Sequence, residues 1–398
     1  MRRSRLRVLE GDIQDVERAR GGASVATVGD GPFITVAQLL AATCLLCGCA
    51  CAQEDPEADV SLTSGGDPES CGGPLARLLS EYTMLETVAG LGQIREKGEN
   101  GWKPEFEGRP ATEVELSRPH FAMADAGGRV FIADKDAHAV RVIEAAQTIH
   151  TLAGVNAAGD DGNEPGPANA RHLSSPNGLW VNPDGTLYIL DLGNDKVRRV
   201  DPAGEMSTLF TTALAVGRGL WVSADESVAY VASGSVVKRW TAADEAVVEF
   251  AGGFAMLGNL FGEASGSVVV TDRGANKVYR LDAQGKREPL AGNGSITAST
   301  GSCLRGVDAG LHGVRGVWPL FGAGYLLATH ETSQLWYLDQ EGFIHLFIDG
   351  RADGTHSGDG EPLSGLGPAI SEVRSVSVSP DGTILLAEHD AGFIRAIR

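Results

Sequence analysis

Ser175–Asp201 reads SPNGLWVNPDGTLYILDLGNDKVRRVD, three short apolar runs separated by two turns. Leu179–Val181 is the first run, and Asn182-Pro183-Asp184-Gly185 is a turn in which proline presets φ and glycine takes the positive value. Leu187–Leu190 is the second run, ending at Asp191, and Lys196–Val200 is a third, alternating one. A unit this short cannot build a core by itself, so its meaning depends on whether it recurs.

It recurs along the chain. Aligned inner-strand segments begin at Pro119 (PHFAM), Pro176 (PNGLW), Gly217 (GRGLW), Leu257 (LGNLF), Val314 (VRGVW) and Val373 (VRSVS). Each is followed by an apolar strand, at 130–134, 187–191, 229–233, 268–272, 325–329 and 384–388. A third strand follows in turn: AVRVIE, KVRRVD, VVKRWT, KVYRLD, QLWYLD and FIRAIR. A fourth, such as IHTLAG at 149–154, follows every copy except the last, which stops at Arg398. The missing strand is at the front, in Met84–Gly90, which carries the same TVAG ending. One strand borrowed from the opposite terminus describes a closed ring, which leaves only short, protected edges. The expected fold is all-β: a six-bladed β-propeller of four-stranded antiparallel blades, closed by an N-terminal strand that completes the last blade. Trp180, Trp221, Phe261 and Trp318 recur at one inner-strand position and are expected to pack between blades.

The 398 residues include 53 glycines and 42% hydrophobic residues, which suits a turn-rich globular protein. The net charge of −19, with no basic cluster, excludes nucleic acid as a partner. Arginines upstream, the apolar run Phe33–Cys47 and small residues downstream form the pattern of a signal peptide. Leu46-Cys47-Gly48-Cys49 resembles a bacterial lipobox, which would make Cys49 the lipidated first residue. The reading is therefore a leader over 1–48, a polar Gly/Pro/Asp/Glu-rich tether over 49–81, and the propeller over 82–398. Export places the mature chain in an oxidising compartment of the cell envelope, tied to a membrane only through the lipid. Beyond the cluster Cys44, Cys47, Cys49 and Cys51, the cysteines are Cys71 and Cys303. They pair with each other, or stay free thiols, or Cys51 replaces one of them.

The unit at Ser175–Asp201 and the pattern TLAGxxxxGxxG…PAxxxxLxxP at Thr151–Pro176 resemble the NHL-repeat family. The second pattern recurs as TVAG…GRPATEVELSRP at Thr87–Pro119, and the resemblance spans residues 82–398. It implies a propeller that serves as an interaction platform, less often as an enzyme.

The residues at one aligned position, where each inner strand starts, are His120, Asn177, Arg218, Gly258, Arg315 and Arg374. Long loops at Gly90–Ser117, Gly154–Ser174, Gly292–Gly313 and Gly350–Ile370 are expected to open on the same face, which makes it the candidate binding surface. Arginine holds carboxylates and phosphates in two-pronged contacts. The sharp reading is that Arg218, Arg315 and Arg374, with His120 and Asn177, form an anion-accepting mouth for a carboxylate-bearing small ligand or an acidic protein end. The structural alternative is that each arginine pairs with a strand-ending carboxylate, Asp134, Asp191, Asp272 or Glu388, of a neighbouring blade. Those carboxylates, with Asn194 and Asn276, also suit turn capping.

No catalytic residue and no metal site is assigned. Pro176-Asn177-Gly178 resembles the PNG segment of gluconolactonase-type propellers, in which the asparagine is a metal ligand, but the companion acidic positions here are His, Arg or Gly. The competing class is accordingly a metal-dependent propeller hydrolase or a lyase. Acidic loops at Asp160–Glu164 and Asp349–Glu361 are candidates for calcium, without EF-hand spacing. The nine histidines show no ligand spacing, and only His120 is placed at the mouth. The favoured function is a non-enzymatic binding or scaffold module, monomeric and without a cofactor.

Overall fold

The computed structural model describes residues 72–93, 96–320, 322, 324–351, 353–363 and 369–398. The leader, the lipobox with Cys49, and Cys71 lie outside the described residues. Six sheets follow in order, and each is numbered here as a blade. Blade 1 spans Pro119–Ala153, blade 2 Pro176–Thr211, blade 3 Leu220–Gly252, blade 4 Leu257–Ala291 and blade 5 Val314–Asp349. Blade 6 combines Val373–Ile397 with the N-terminal strand Leu85–Ala89, which pairs antiparallel to Phe393–Ile397. The expected ring and its closure are both present. Beside this seam the Met84 and Arg398 backbones exchange hydrogen bonds of 2.9 and 3.0 Å.

The blades alternate because their strands alternate. In blade 2, Leu187–Asp191 is buried throughout, while Glu205–Thr211 at the rim is exposed at both ends. Blades 2 and 5 gain a fifth, two-residue strand, Gly166–Pro167 and Leu304–Arg305, each paired to the outermost strand. In blade 1 the equivalent segment makes Gly108 N–H to Ile149 O and Ala111 N–H to Gln147 O bonds. The long loops were expected to open on the face of the channel mouth, an expectation that left their further path open. Much of three of them runs down the outer edge of the blade they lead into, satisfying backbone groups that a bare edge leaves open. That explains the PAxxxxLxxP pattern: Ala111 and Ala168 sit under the edge, and Leu116 and Leu173 are fully buried beside it. A leucine buried to that extent contributes about 1.5–3 kcal/mol.

A short clasp repeats between blades. His138, Asp195, Asn276 and Ser333 each follow the tight turn after a second strand and hold φ between 53° and 55°. Each side chain accepts a backbone N–H leading into the next blade, from Ser175, Leu214, Gly313 and Glu372 at 2.7–3.0 Å. Asn276 is therefore an inter-blade tie rather than the local cap expected of it. Asn194 does stay local, bonding Asp191 at 2.9 Å.

The last ten residues of the expected tether are a helix, α1 (Gly72–Glu81). Leu75, Leu78 and Leu79 recur at helical spacing, and Leu78 is buried against the propeller. Tyr82 continues the contact, bonding Gly382 O at 2.9 Å and packing on Phe347. Cys303 is disulfide-bonded, and the Cys71 half of the expected pair lies outside the described residues.

Candidate functional site

Where each inner strand begins, the ladder skips. Register shifts fall between Pro119/Phe121, Pro176/Gly178, Val314/Gly316 and Val373/Ser375, so His120, Asn177, Arg315 and Arg374 are bulge residues. A bulge leaves its residue unpaired and re-aims its side chain. In blade 4 the skip spans Gly258 and Asn259, and Asn259 supplies the polar group in place of the aligned glycine. Glycine follows the mouth residue in blades 2 and 3 because the next blade is too close for anything larger. A Cβ on Gly178 would lie 2.4 Å from Arg218 O, and one on Gly219 would lie 2.6 Å from Leu260 N.

The five expected mouth residues converge. Arg218 is buried to 9% exposure, its Nε and Nη1 have no partner, and no carboxylate pairs with it among the described residues. Burial holds its guanidinium well below the ordinary value, and the charges of Arg374, Arg315 and Arg273 depress it further. Arg374 belongs to the blade opposite, so this repulsion acts across the ring axis. Burial, then Arg315, pushes Arg374 down to about 9, and burial, then Arg315, pushes Arg273 to about 10. Arginine stays protonated in this range, so the shifts measure positive charge that the protein has gathered without neutralising it.

Two acids answer part of that charge. Arg315 Nη2 meets Glu331 at 2.6 Å, and Arg374 Nη2 stands 3.8 Å from Asp390. The Nε atoms of both arginines remain unpartnered. Glu372, beside Asp390, is pushed up to about 7 by burial and by its hydrogen bond to that carboxylate. Arg118 is spent within the wall: it bonds Asp390 and donates to His389 Nε2 at 3.1 Å.

The carboxylates proposed as alternative partners are committed elsewhere. Asp134 binds Arg141 at 3.1 Å, Asp191 binds Arg198 at 3.0 Å, and Glu388 stands 3.5 Å from Arg395. Asp134 and Asp191 also accept the N–H of Ser117 and Ser174 at 2.6 and 2.7 Å, and Asp272 accepts those of Ala255 and Met256 at 2.9 Å. Asp134, Asp191 and Asp272 pin the chain entering their blades, and none of the four acids pairs with a mouth arginine.

Three histidines meet here rather than one. The His120 and His389 rings lie edge to face at 4.2 Å. Burial holds His120, His330 and His389 well below the ordinary imidazole value, and nearby arginines lower all three further. His330, His389, Arg273 and Lys135 each come one residue after a second strand. That register position carried a signal which reading the strand ends alone passes over. The aromatic residues pack between blades as expected, and the packing reaches across the ring. Trp180 of blade 2 packs at 5.6 Å on Phe261 of blade 4 and at 5.5 Å on Trp318 of blade 5, while Trp221 stands 6.0 Å away. Contacts between opposite blades pass through the axis, so these rings close the channel below the mouth. They lie three residues down the strands, roughly 10 Å.

Asn177 donates through Nδ2 to Gly217 O, and its Oδ1 is buried without a partner. In the acidic loops, Lys196 Nζ contacts both oxygens of Asp160 at 2.7 Å, and Arg395 pairs with Asp359. Among the described residues, no three His, Cys, Asp or Glu side chains are grouped as metal ligands, and no helix is long and apolar enough to cross a membrane.

No family model and no curated protein matches the chain. Solved structures do. A structural-genomics protein of unknown function from Bacteroides thetaiotaomicron superposes with a TM-score of 0.61 at 12% identity, covering 79% of this chain and 75% of that one. An auxiliary nutrient binding protein from the same organism gives 0.58 at 12%, covering 79% and 76%. One described in the same words from Bacteroides ovatus gives 0.58 at 12%, covering 80% and 76%. At that identity the likeness is one of fold.

Proposed function

We propose that this chain is an exported NHL-type propeller, lipid-anchored through Cys49 to the bacterial cell envelope, which binds an anionic ligand at the channel mouth without transforming it. The ligand is a carboxylate-bearing small molecule or the acidic end of a protein, held by Arg218, Arg315 and Arg374 with His120 and Asn177. The observation that carries this reading is Arg218, a buried guanidinium with no carboxylate in ion-pair range among the described residues, in a protein of net charge −19. A chain with 52 acidic residues has abundant means to neutralise one arginine, and an unpaired buried charge costs several kcal/mol. A site that meets its counter-ion only on binding accounts for that cost. Two similar folds described as nutrient binding proteins accord with a binding role.

The test is a thermal-shift and calorimetric titration with small carboxylates and inorganic phosphate. Binding should raise the melting temperature by mass action, by about 2.7 kcal/mol of stability at a hundredfold excess over Kd. Arg218→Met should abolish the response and leave the unliganded protein at least as stable as before, by about 1–2 kcal/mol if the relieved desolvation is recovered. A marked loss of stability in that variant would make Arg218 structural. Stoichiometric divalent metal in the purified protein would instead favour the propeller-enzyme reading.

A further inference from the structure

The unpartnered polar atoms of the mouth differ in kind around the ring. Blades 3 to 6 are rich in donors, Arg218 Nε and Nη1, Asn259 Nδ2, Arg315 Nε and Arg374 Nε, with one imidazole nitrogen, His330 Nδ1, among them. Blades 1 and 2 present acceptors. Asn177 has its amide orientation fixed by the bond from Nδ2 to Gly217 O, so the atom left over is Oδ1, on a residue 3% exposed. His120, at 5% exposure, has both ring nitrogens unpartnered, and a neutral imidazole offers one donor and one acceptor.

A bare carboxylate satisfies the donor arc and leaves the acceptor arc empty, because its oxygens cannot donate. A buried acceptor left without a donor weakens binding by about tenfold or more. The ligand therefore needs a donor as well as a negative charge. An ammonium group would supply one, but it would enter a site already crowded with arginines, whereas a hydroxyl donates at no electrostatic cost.

We infer that the ligand is a hydroxycarboxylate, its carboxylate held by Arg218, Arg315 and Arg374 and a hydroxyl donating to Asn177 Oδ1 and His120. This rests on the anion-binding reading above and narrows it. Succinate, malate and tartrate share four carbons and two carboxylates and differ in hydroxyl count, so they separate the two claims. Calorimetry on the full chain should show malate or tartrate binding about tenfold or more tighter than succinate, the discrimination typical of a site that leaves a buried acceptor unpaired when the hydroxyl is missing. Aspartate, with an amine at the malate hydroxyl position, should bind no better than succinate. Asn177→Leu should erase the advantage of the hydroxylated acids over succinate; Arg218→Met should lose all of them. Equal affinity for succinate, malate and tartrate in the wild-type chain would overturn this inference and leave the anion site standing. If aspartate binds best, the donor is an amine and the inference likewise fails. No binding by any of the four, or by phosphate, would sink both.

Discussion

The propeller buries arginine in two places and treats it in opposite ways. In the third strands, Arg141, Arg198 and Arg395 are almost wholly buried, each with a buried carboxylate seven residues earlier. Arg198 has a second counter-ion in Asp160 and donates at 2.7 Å to Thr208. At the mouth, Arg218, Arg315 and Arg374 are buried or nearly so, yet Arg218 has no acid in ion-pair range among the described residues and Arg374 has one only at 3.8 Å. Side chain and burial match; neutralisation does not. The first set completes a wall; the second is the set to which the proposed ligand would bring its charge.

The contrast can be broken at either end. Asp191→Ala should cost the most, about 3–5 kcal/mol in urea unfolding, because it strips a buried arginine of its closest acid and the Ser174 N–H of its acceptor. A cost under 1 kcal/mol would erase the distinction between wall and mouth, since the Arg218→Met variant is expected to lose nothing.

Acid should attack the mouth next. His120, His330 and His389 are held neutral in the folded protein, so below their ordinary value of about 6.5 the unfolded chain takes up protons that the folded one refuses, and stability falls with falling pH. Glu372 works the other way: its raised value, about 7, gives stability that is present at low pH and lost as pH rises through that value. Three histidines against one glutamate leave a net loss of roughly 2–3 kcal/mol per pH unit below 6.5. Unfolding midpoints at pH 7 and 5.5 measure it, and a flat or rising profile would show that the histidines are not confined with the arginines.

Smallest of all is the clasp. Asn276→Ala should cost about 1 kcal/mol, one bond to a backbone N–H, without changing ligand affinity. An accompanying loss of affinity would mean that blade spacing, and not only the arginines, shapes the mouth.

The blade order, nearly every strand and the ring closure were legible in the sequence because period-2 alternation and turn chemistry recur in register. The mouth was half legible. His120, Asn177, Arg218, Arg315 and Arg374 share an aligned position, and that position is a bulge in four blades. In blade 4 the wider skip brings in Asn259, which no alignment on Gly258 finds. His330, His389 and Arg273 sit in turns whose composition looks ordinary. Only the curvature of the ring turns their separate blades toward one point. The helix α1 was hidden because Gly72-Gly73-Pro74 and the polar residues before it outweigh three leucines at helical spacing. Its apolar stripe has meaning only against the propeller surface that covers it.

The aromatic closure below the mouth has a topological consequence. With Trp180, Trp318 and Phe261 in contact across the axis, the centre of the ring is blocked by side chains at that depth. A polymer cannot be threaded through it. On the proposed function, the ligand would be a whole small molecule or the free end of a longer one, leaving by the way it came.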